Sequence, residues 1–184
     1  MNKVSPIRDK SKIKEMKAEL LKRSYRDYLL FVVGINTGLR ISDILKLKVE
    51  DVKDKTHIEI KEKKTEKEKK FLINSKLQEE LNKYMLNMED HEFLFQSQKG
   101  TNKAISRVQA YRILRAAADK IKGLKDVKIG THTLRKTFGY HHYQRNKDVA
   151  LLQELFNHSS PSVTLEYIGI NQDVMDKTIE DFYL

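Results

Sequence analysis

Cysteine is missing from all 184 residues, which removes disulfide scaffolds, Cys-ligated zinc and thiol catalysis together. Proline occurs twice and glycine seven times, too few turn formers for a turn-rich all-β chain. No apolar run approaches the ~20 residues of a membrane span. The longest, Tyr28 to Ile35, is interrupted by Gly34. The opening residues, MNKVSPIRDK, lack the apolar stretch of a secretory leader. Acidic side chains are outnumbered: 36 Lys and Arg face 26 Asp and Glu, a formal charge of +10 with a pI near 9.5. The excess is evenly spread, 22 against 16 in residues 1–90 and 14 against 10 in residues 91–184. A basic tail on a neutral body is therefore excluded, and a polyanion-facing surface is expected. At 21.6 kDa the chain is one domain, or one domain with an appendage. A cytoplasmic, anion-seeking domain without membrane contact is the expectation.

The pattern is mainly helical. Pro6 and Asp9 open a segment in which Ile13, Met16 and Leu20 share one helical face. Tyr25 to Asn36 is apolar nearly all round, as in a buried central helix, and Gly38 suits the left-handed backbone of its end. Ile41 to Leu47 reads as a short amphipathic helix with Ser42 and Asp43 in its first turn. From Lys48 the period changes: Ile58 and Ile60 alternate with polar residues, and Phe71-Leu72-Ile73 gives a second β-type run. Residues 49–74 are expected to form a small antiparallel sheet whose hairpin tip is KEKKTEKEKK at 61–70. A solvated charged helix is the competing reading of that stretch, because Glu and Lys are good helix formers. Further helices are expected around Leu77 to Met85, Tyr111 to Ile121 and His132 to Arg145, then from Asp148 through Phe156, and from Ser160-Pro161 onward. Asn171 to Leu184 carries one basic and four acidic side chains and reads as an acidic amphipathic helix with Val174, Ile179 and Phe182 on its apolar side.

Three local patterns carry candidate chemistry. Thr37-Gly38-Leu39-Arg40-Ile41-Ser42-Asp43 presents an arginine just after a helix-ending glycine. His132-Thr133-Leu134-Arg135 places a histidine and an arginine on one helical face. Leu155-Phe156-Asn157-His158 is followed nine residues later by Tyr167. Taken singly, each has an ordinary structural reading: helix-end ion pairs, caps, a half-buried core aromatic. His141-His142 is assigned to packing and surface, because adjacent helical side chains diverge by ~100° and cannot easily share one ion.

In this order the patterns resemble the catalytic domain of the tyrosine recombinases, the phage integrase family, whose motifs are G-L-R-x-S-[ED], a hairpin lysine, H-x-L-R, L-G-H and a following tyrosine. The resemblance covers about residues 6 to 182. It implies an α+β, mainly α fold: a helical catalytic domain with a small three-stranded antiparallel sheet. It makes Arg40, Lys64, His132, Arg135 and His158 catalytic, with Asp43 supporting Arg40 and Tyr167 as nucleophile. Which hairpin lysine serves is open, since Lys61, Lys63, Lys67, Lys69 and Lys70 flank Lys64; these five are the expected DNA-binding lysines. Asn157 stands where the family usually has glycine, and asparagine tolerates the same positive φ. The implied division is residues 1–8 as entry, 9–168 as catalytic domain and 169–184 as a C-terminal helix docking on its own body or on a neighbouring protomer.

The chemistry agrees with those residue types. Two arginines from separate segments neutralise non-bridging phosphate oxygens with paired bonds. Tyrosine ionises at ~10 and needs a positive pocket and a nearby acceptor, for which imidazole is suited. The resemblance implies cleavage and rejoining of double-stranded DNA through a 3′-phosphotyrosyl link, with no cofactor, by a tetramer on DNA that is a monomer when free. Two other readings stand beside it: type IB topoisomerase-like relaxation, and a non-catalytic DNA-binding regulator lacking the N-terminal clamp domain that family members usually carry before this point.

Overall fold

The computed structural model describes residues 4–61, 68–170, 179–180 and 182–183. Asp9 accepts a hydrogen bond from Ser11 N and starts α1, Lys10–Arg23, which buries Met16 and Leu20. Ser24 then caps α2, Tyr25–Thr37. This helix is the centre of the molecule: Leu29 to Val33 are at most 4 % exposed, and α1, α4 and α6 pack around it. Gly34 permits a close approach, because a Cβ there would lie 2.5 Å from Leu134 Cδ1 of α6. Thus α2 and α6 meet almost backbone to side chain, which fixes the helix bearing His132 and Arg135 against the main core.

After the short α3, Ile41–Ile44, and one 3₁₀ turn, Val49–Asp51, the chain enters β1, His57–Lys61, and returns as antiparallel β2, Glu68–Leu72. The register pairs Ile58 with Phe71 and Ile60 with Lys69, so Ile58 and Phe71 turn to the core. The hairpin reading of 61–70 is thereby favoured over the charged helix, although 62–67 fall outside the described residues.

The expected third strand is corrected: among the described residues the sheet has two strands. Phe93 does reach Lys48, but through one isolated bridge. Lys48 N donates to Asp51 Oδ2 at 2.8 Å, and Asp51 N returns to Lys48 O. That local turn takes the chain out of extended geometry after a single pair. The helix after Arg40 is likewise shorter than expected, ending at Ile44.

The remaining helices are α4 (Ser75–Met85), α5 (Arg107–Ala118), α6 (Thr131–Asn146), α7 (Val149–Phe156) and α8 (Pro161–Ile168). Asn74, Ser106, Asp148 and Ser160 accept first-turn N–H bonds at the starts of α4, α5, α7 and α8. Most buried apolar side chains form one core around α2. Leu152, Phe156, Ile168 and Ile170 instead form a small satellite cluster that seats α7 and α8. The C-terminal helix expected over Asn171 to Leu184 lies mostly outside the described residues; Phe182 and Tyr183 are exposed.

Candidate active site

Arg40 enters the site because α2 ends sharply. Gly38 adopts φ 67°, and Arg40 follows in extended backbone as the N-cap of α3. Its side chain lines an open cavity of about 360 Å³ together with Asp43, Lys61, Lys69, Arg135 and Asn157. Asp43 binds the Arg40 carbonyl through its backbone N–H at 2.9 Å, and Ser42 Oγ lies 3.4 Å from its carboxylate. It therefore shapes the first turn that presents Arg40.

Arg135 lies on α6 and is only 4 % exposed. Its guanidinium donates to Gly38 O at 2.6 Å and to Phe156 O at 3.0 Å, and it stacks 4.0 Å from the Phe156 ring centroid. One side chain thus ties the end of α2 to the end of α7 at the cavity wall. Phe156 is followed by Asn157, whose φ of 52° turns the chain out of α7. The positive φ expected of this asparagine is present, and it delivers His158 to the site.

His158 Nδ1 lies 3.1 Å from the hydroxyl of the fully buried Thr164. Its ring meets Tyr167 edge-on, with centroids 5.0 Å apart. Burial holds the His158 pKa below its ordinary 6.5, and the charges of Arg135, Arg40 and Lys69 lower it further. His132, in the first turn of α6, places Nδ1 3.4 Å from the Tyr167 hydroxyl. Its pKa is also lowered, first by burial and then by Arg107, Lys136, Arg135 and Arg40. Both imidazoles are therefore neutral, proton-accepting groups at neutral pH.

Tyr167 is half-buried on α8. Burial raises its phenol above the ordinary 10.0, while Arg135, Arg40 and a hydrogen bond from Arg135 act in the opposite direction. Its ring packs against Phe156 at 5.7 Å between centroids. The Lys136 ammonium lies 5.0 Å from the ring centroid. Hence α6 addresses one tyrosine with three side chains, His132, Arg135 and Lys136, at positions i, i+3 and i+4.

Five of the expected residues, Arg40, His132, Arg135, His158 and Tyr167, converge from four segments of chain. Lys61 and Lys69 line the cavity with Arg40 and Arg135, and Lys69 Nζ also donates to Glu154 O at 2.9 Å. Lys70 does not: strand alternation turns it to an ion pair with Glu59 at 2.7 Å. Lys63, Lys64 and Lys67 lie outside the described residues. Lys136, Arg107 and Thr164 were not expected. Lys136 carried a usable signal, its four-residue spacing from His132; the position of Arg107 at the start of α5 depends on tertiary packing. His141 bonds the Ile7 carbonyl at 3.0 Å, a packing role.

Comparison with known proteins matches residues 9–173 to the Phage integrase family. A "Probable integrase/recombinase YoeC" of Bacillus subtilis is 56 % identical over 173 residues, covering 94 % of this chain and 93 % of that one. "Tyrosine recombinase XerA" of Pyrococcus furiosus is 28 % identical over 91 % of this chain but only 58 % of its own length. The chain thus spans nearly the whole of the first relative and little more than half of the second. Among solved structures, XerA recombinase superposes with a TM-score of 0.76 at 21 % identity, over 96 % of this chain and 65 % of that one. XerH recombinase, in a post-cleavage complex with a palindromic difH substrate, gives 0.75 at 24 % identity, over 98 % and 53 %. At such identities the superpositions establish shared architecture, the helical catalytic-domain fold of recombinases. With nine-tenths of its length matched and a relative at more than half identity, the chain belongs to the phage integrase family of tyrosine recombinases.

Proposed function

We propose that this chain is a site-specific DNA recombinase that cuts and rejoins strands through a covalent 3′-phosphotyrosine. The observation that carries the reading is the meeting of Tyr167 with His132, His158 and the Arg135 guanidinium beside a cavity that Arg40 also lines. A purely DNA-binding protein has no physical need for a phenol held against two neutral imidazoles and a buried guanidinium.

In this reading residues 9–168 are the catalytic unit. A backbone phosphate sits in the cavity, where Arg40 and Arg135 bind its non-bridging oxygens and neutralise the charge that grows as phosphorus becomes five-coordinate. His132 accepts the Tyr167 proton as the phenol oxygen attacks phosphorus. The bond from phosphorus to the 5′-oxygen breaks, and a hairpin lysine, Lys64 by its place in the motif, supplies that oxygen's proton. His158, as a neutral imidazole, donates its one N–H to a non-bridging oxygen of the phosphate. Attack by another 5′-hydroxyl reverses the chemistry and joins a new pair of ends. The link conserves the energy of the broken bond, so rejoining needs no nucleotide. Exchange takes place in a tetramer on two duplexes, with the free chain monomeric. Lys61 and Lys69 on the hairpin strands contribute phosphate contacts that weaken with salt. Among the described residues no helix is long and apolar enough to cross a membrane, which is compatible with work on DNA in the cytoplasm.

The test is a pool of duplexes of randomised sequence, each carrying a nick that lets the short fragment bearing the freed 5′-hydroxyl diffuse away after cleavage. The parent chain is expected to give SDS-resistant protein–DNA adducts, and Tyr167→Phe to bind the pool equally well without forming any. Adducts from Tyr167→Phe, or none from the parent under any condition, would overturn the reading.

A further inference from the structure

Residues 4–8 belong to no helix or strand, yet they are tied down at almost every position. Ser5 N donates to Lys128 O at 2.9 Å, just before α6 begins, and Val4 packs beside Gly130, the N-cap of α6. Ile7 is 1 % exposed; its N–H donates to Thr137 Oγ1 at 2.9 Å, and its carbonyl lies 3.0 Å from His141 Nε2. The segment thus runs along α6, the helix that carries His132 and Arg135.

It ends on α8. Arg8 Nη2 donates to Gly169 O at 2.6 Å while its guanidinium lies 5.4 Å from the Tyr140 ring centroid. Gly169 is the C-cap of α8, two residues after Tyr167, and a Cβ there would come within 3.0 Å of Arg8 Nη2 and 3.6 Å of Pro6. Otherwise α8 is seated by the small satellite cluster, in which Ile168 packs on Gly139 of α6, and not by the main core. A helix held by few buried side chains opens locally at low cost, and an additional tie at its end has leverage on the residue it presents.

We propose that residues 4–8 form a strap that fixes the helix carrying Tyr167 relative to the helix carrying His132 and Arg135, with Arg8 as the positioning residue that closes it. The strap touches no reacting atom. It runs along α6 from the N-cap of that helix to the C-cap of α8, away from Arg40 and the hairpin lysines, so loosening it lets Tyr167 drift from its acceptor. Displacements of about 1 Å in an attacking group cost ~10²-fold in rate. The inference rests on Tyr167 being the nucleophile.

Two measurements on the full chain test it. Arg8→Met keeps the aliphatic stem but removes the donor, and Arg8→Lys keeps a cation. On the nicked pool, Arg8→Met is expected to lower the saturating adduct rate by ~10-fold or more, with affinity for the pool and melting temperature within error of the parent. Arg8→Lys should recover much of that loss. A rate within twofold of the parent overturns the strap, and so does a parallel fall in affinity, which would make Arg8 a phosphate contact. Amide hydrogen exchange on the free protein reads the same tie without DNA. Arg8→Met should speed exchange in α8 and leave α2 unchanged; identical α8 exchange also overturns the proposal. Tyr167→Phe is run alongside. Adducts from that variant would overturn the nucleophile assignment, whereas a dead Tyr167→Phe beside a normal Arg8→Met would overturn the strap alone.

Discussion

The His132 ring and the Tyr167 hydroxyl, 35 residues apart in sequence, stand 3.4 Å from each other, Nδ1 to Oη. In the tautomer that leaves Nδ1 without a proton, the phenol is the donor, which is the arrangement needed to ionise it. Burial and four nearby cations lower the His132 pKa below 6.5, so this acceptor remains available through neutral pH. The adduct rate of the parent should therefore hold level down to about pH 6.5 and decline only below it. His132→Asn should lower the plateau by ~10²–10⁴-fold, the usual worth of a positioned base. A pH–rate profile of both proteins checks this.

Lys136 is 7 % exposed and faces the Tyr167 ring from 5.0 Å. Cation–π contacts of this kind are worth ~0.5–2 kcal/mol. Lys136→Met, which retains the stem, is expected to destabilise the fold by about 1 kcal/mol and to slow adduct formation. Lys136→Arg should retain most of both. Thermal melts and single-turnover adduct rates read the two effects separately.

Gly38 and Asn157 end α2 and α7 in the same left-handed backbone, φ 67° and φ 52°, but they differ in what surrounds them. A Cβ on Gly38 would lie 2.4 Å from Phe138 Cδ1. Gly38→Ala should cost about 1–3 kcal/mol from strain and contact combined, with a disproportionate loss of cleavage because Arg40 is two residues on. Asn157→Gly should be tolerated in stability, whereas Asn157→Val places a branched side chain at positive φ and should destabilise by ~1–2 kcal/mol. Denaturant titration distinguishes these outcomes.

The histidine shifts also predict how stability follows acidity. His132, His142 and His158 are all held below their ordinary 6.5 in the folded chain. The unfolded chain therefore takes up protons first as pH falls. Their stabilising contribution is complete above pH 6.5 and is lost as pH drops through the lowered folded values. His158→Asn should flatten part of that decline, as measured by melting temperature between pH 7.5 and pH 5.

What the amino-acid order disclosed follows from which interactions are local. Helix starts were legible because Asp9, Asp148 and Ser160 cap the N–H groups two or three residues on. The ends at Gly38 and Asn157 were legible because so few residues adopt positive φ readily. The candidate site residues were legible only through motif order, since no spacing rule places Tyr167 against His132. The third strand was a false expectation: Phe93 bridges Lys48, but the Asp51 cap bends the chain away. The ties of residues 4–8 were not legible because their partners lie across the fold. Ile7 and Arg8 bond residues 130 and 161 positions distant.

Arg135 clasps the carbonyls of Gly38 and Phe156, so its rotamer freedom is surrendered when the protein folds. In the proposed function, an arriving phosphate meets a guanidinium already aimed, and no ordering of that long side chain opposes docking. Because the clasp also joins two helix ends, a substitution that frays either one misaims the cation at a distance. Loss of turnover from such changes should then precede loss of the native state, and a thermally softened protein should stop reacting before it melts.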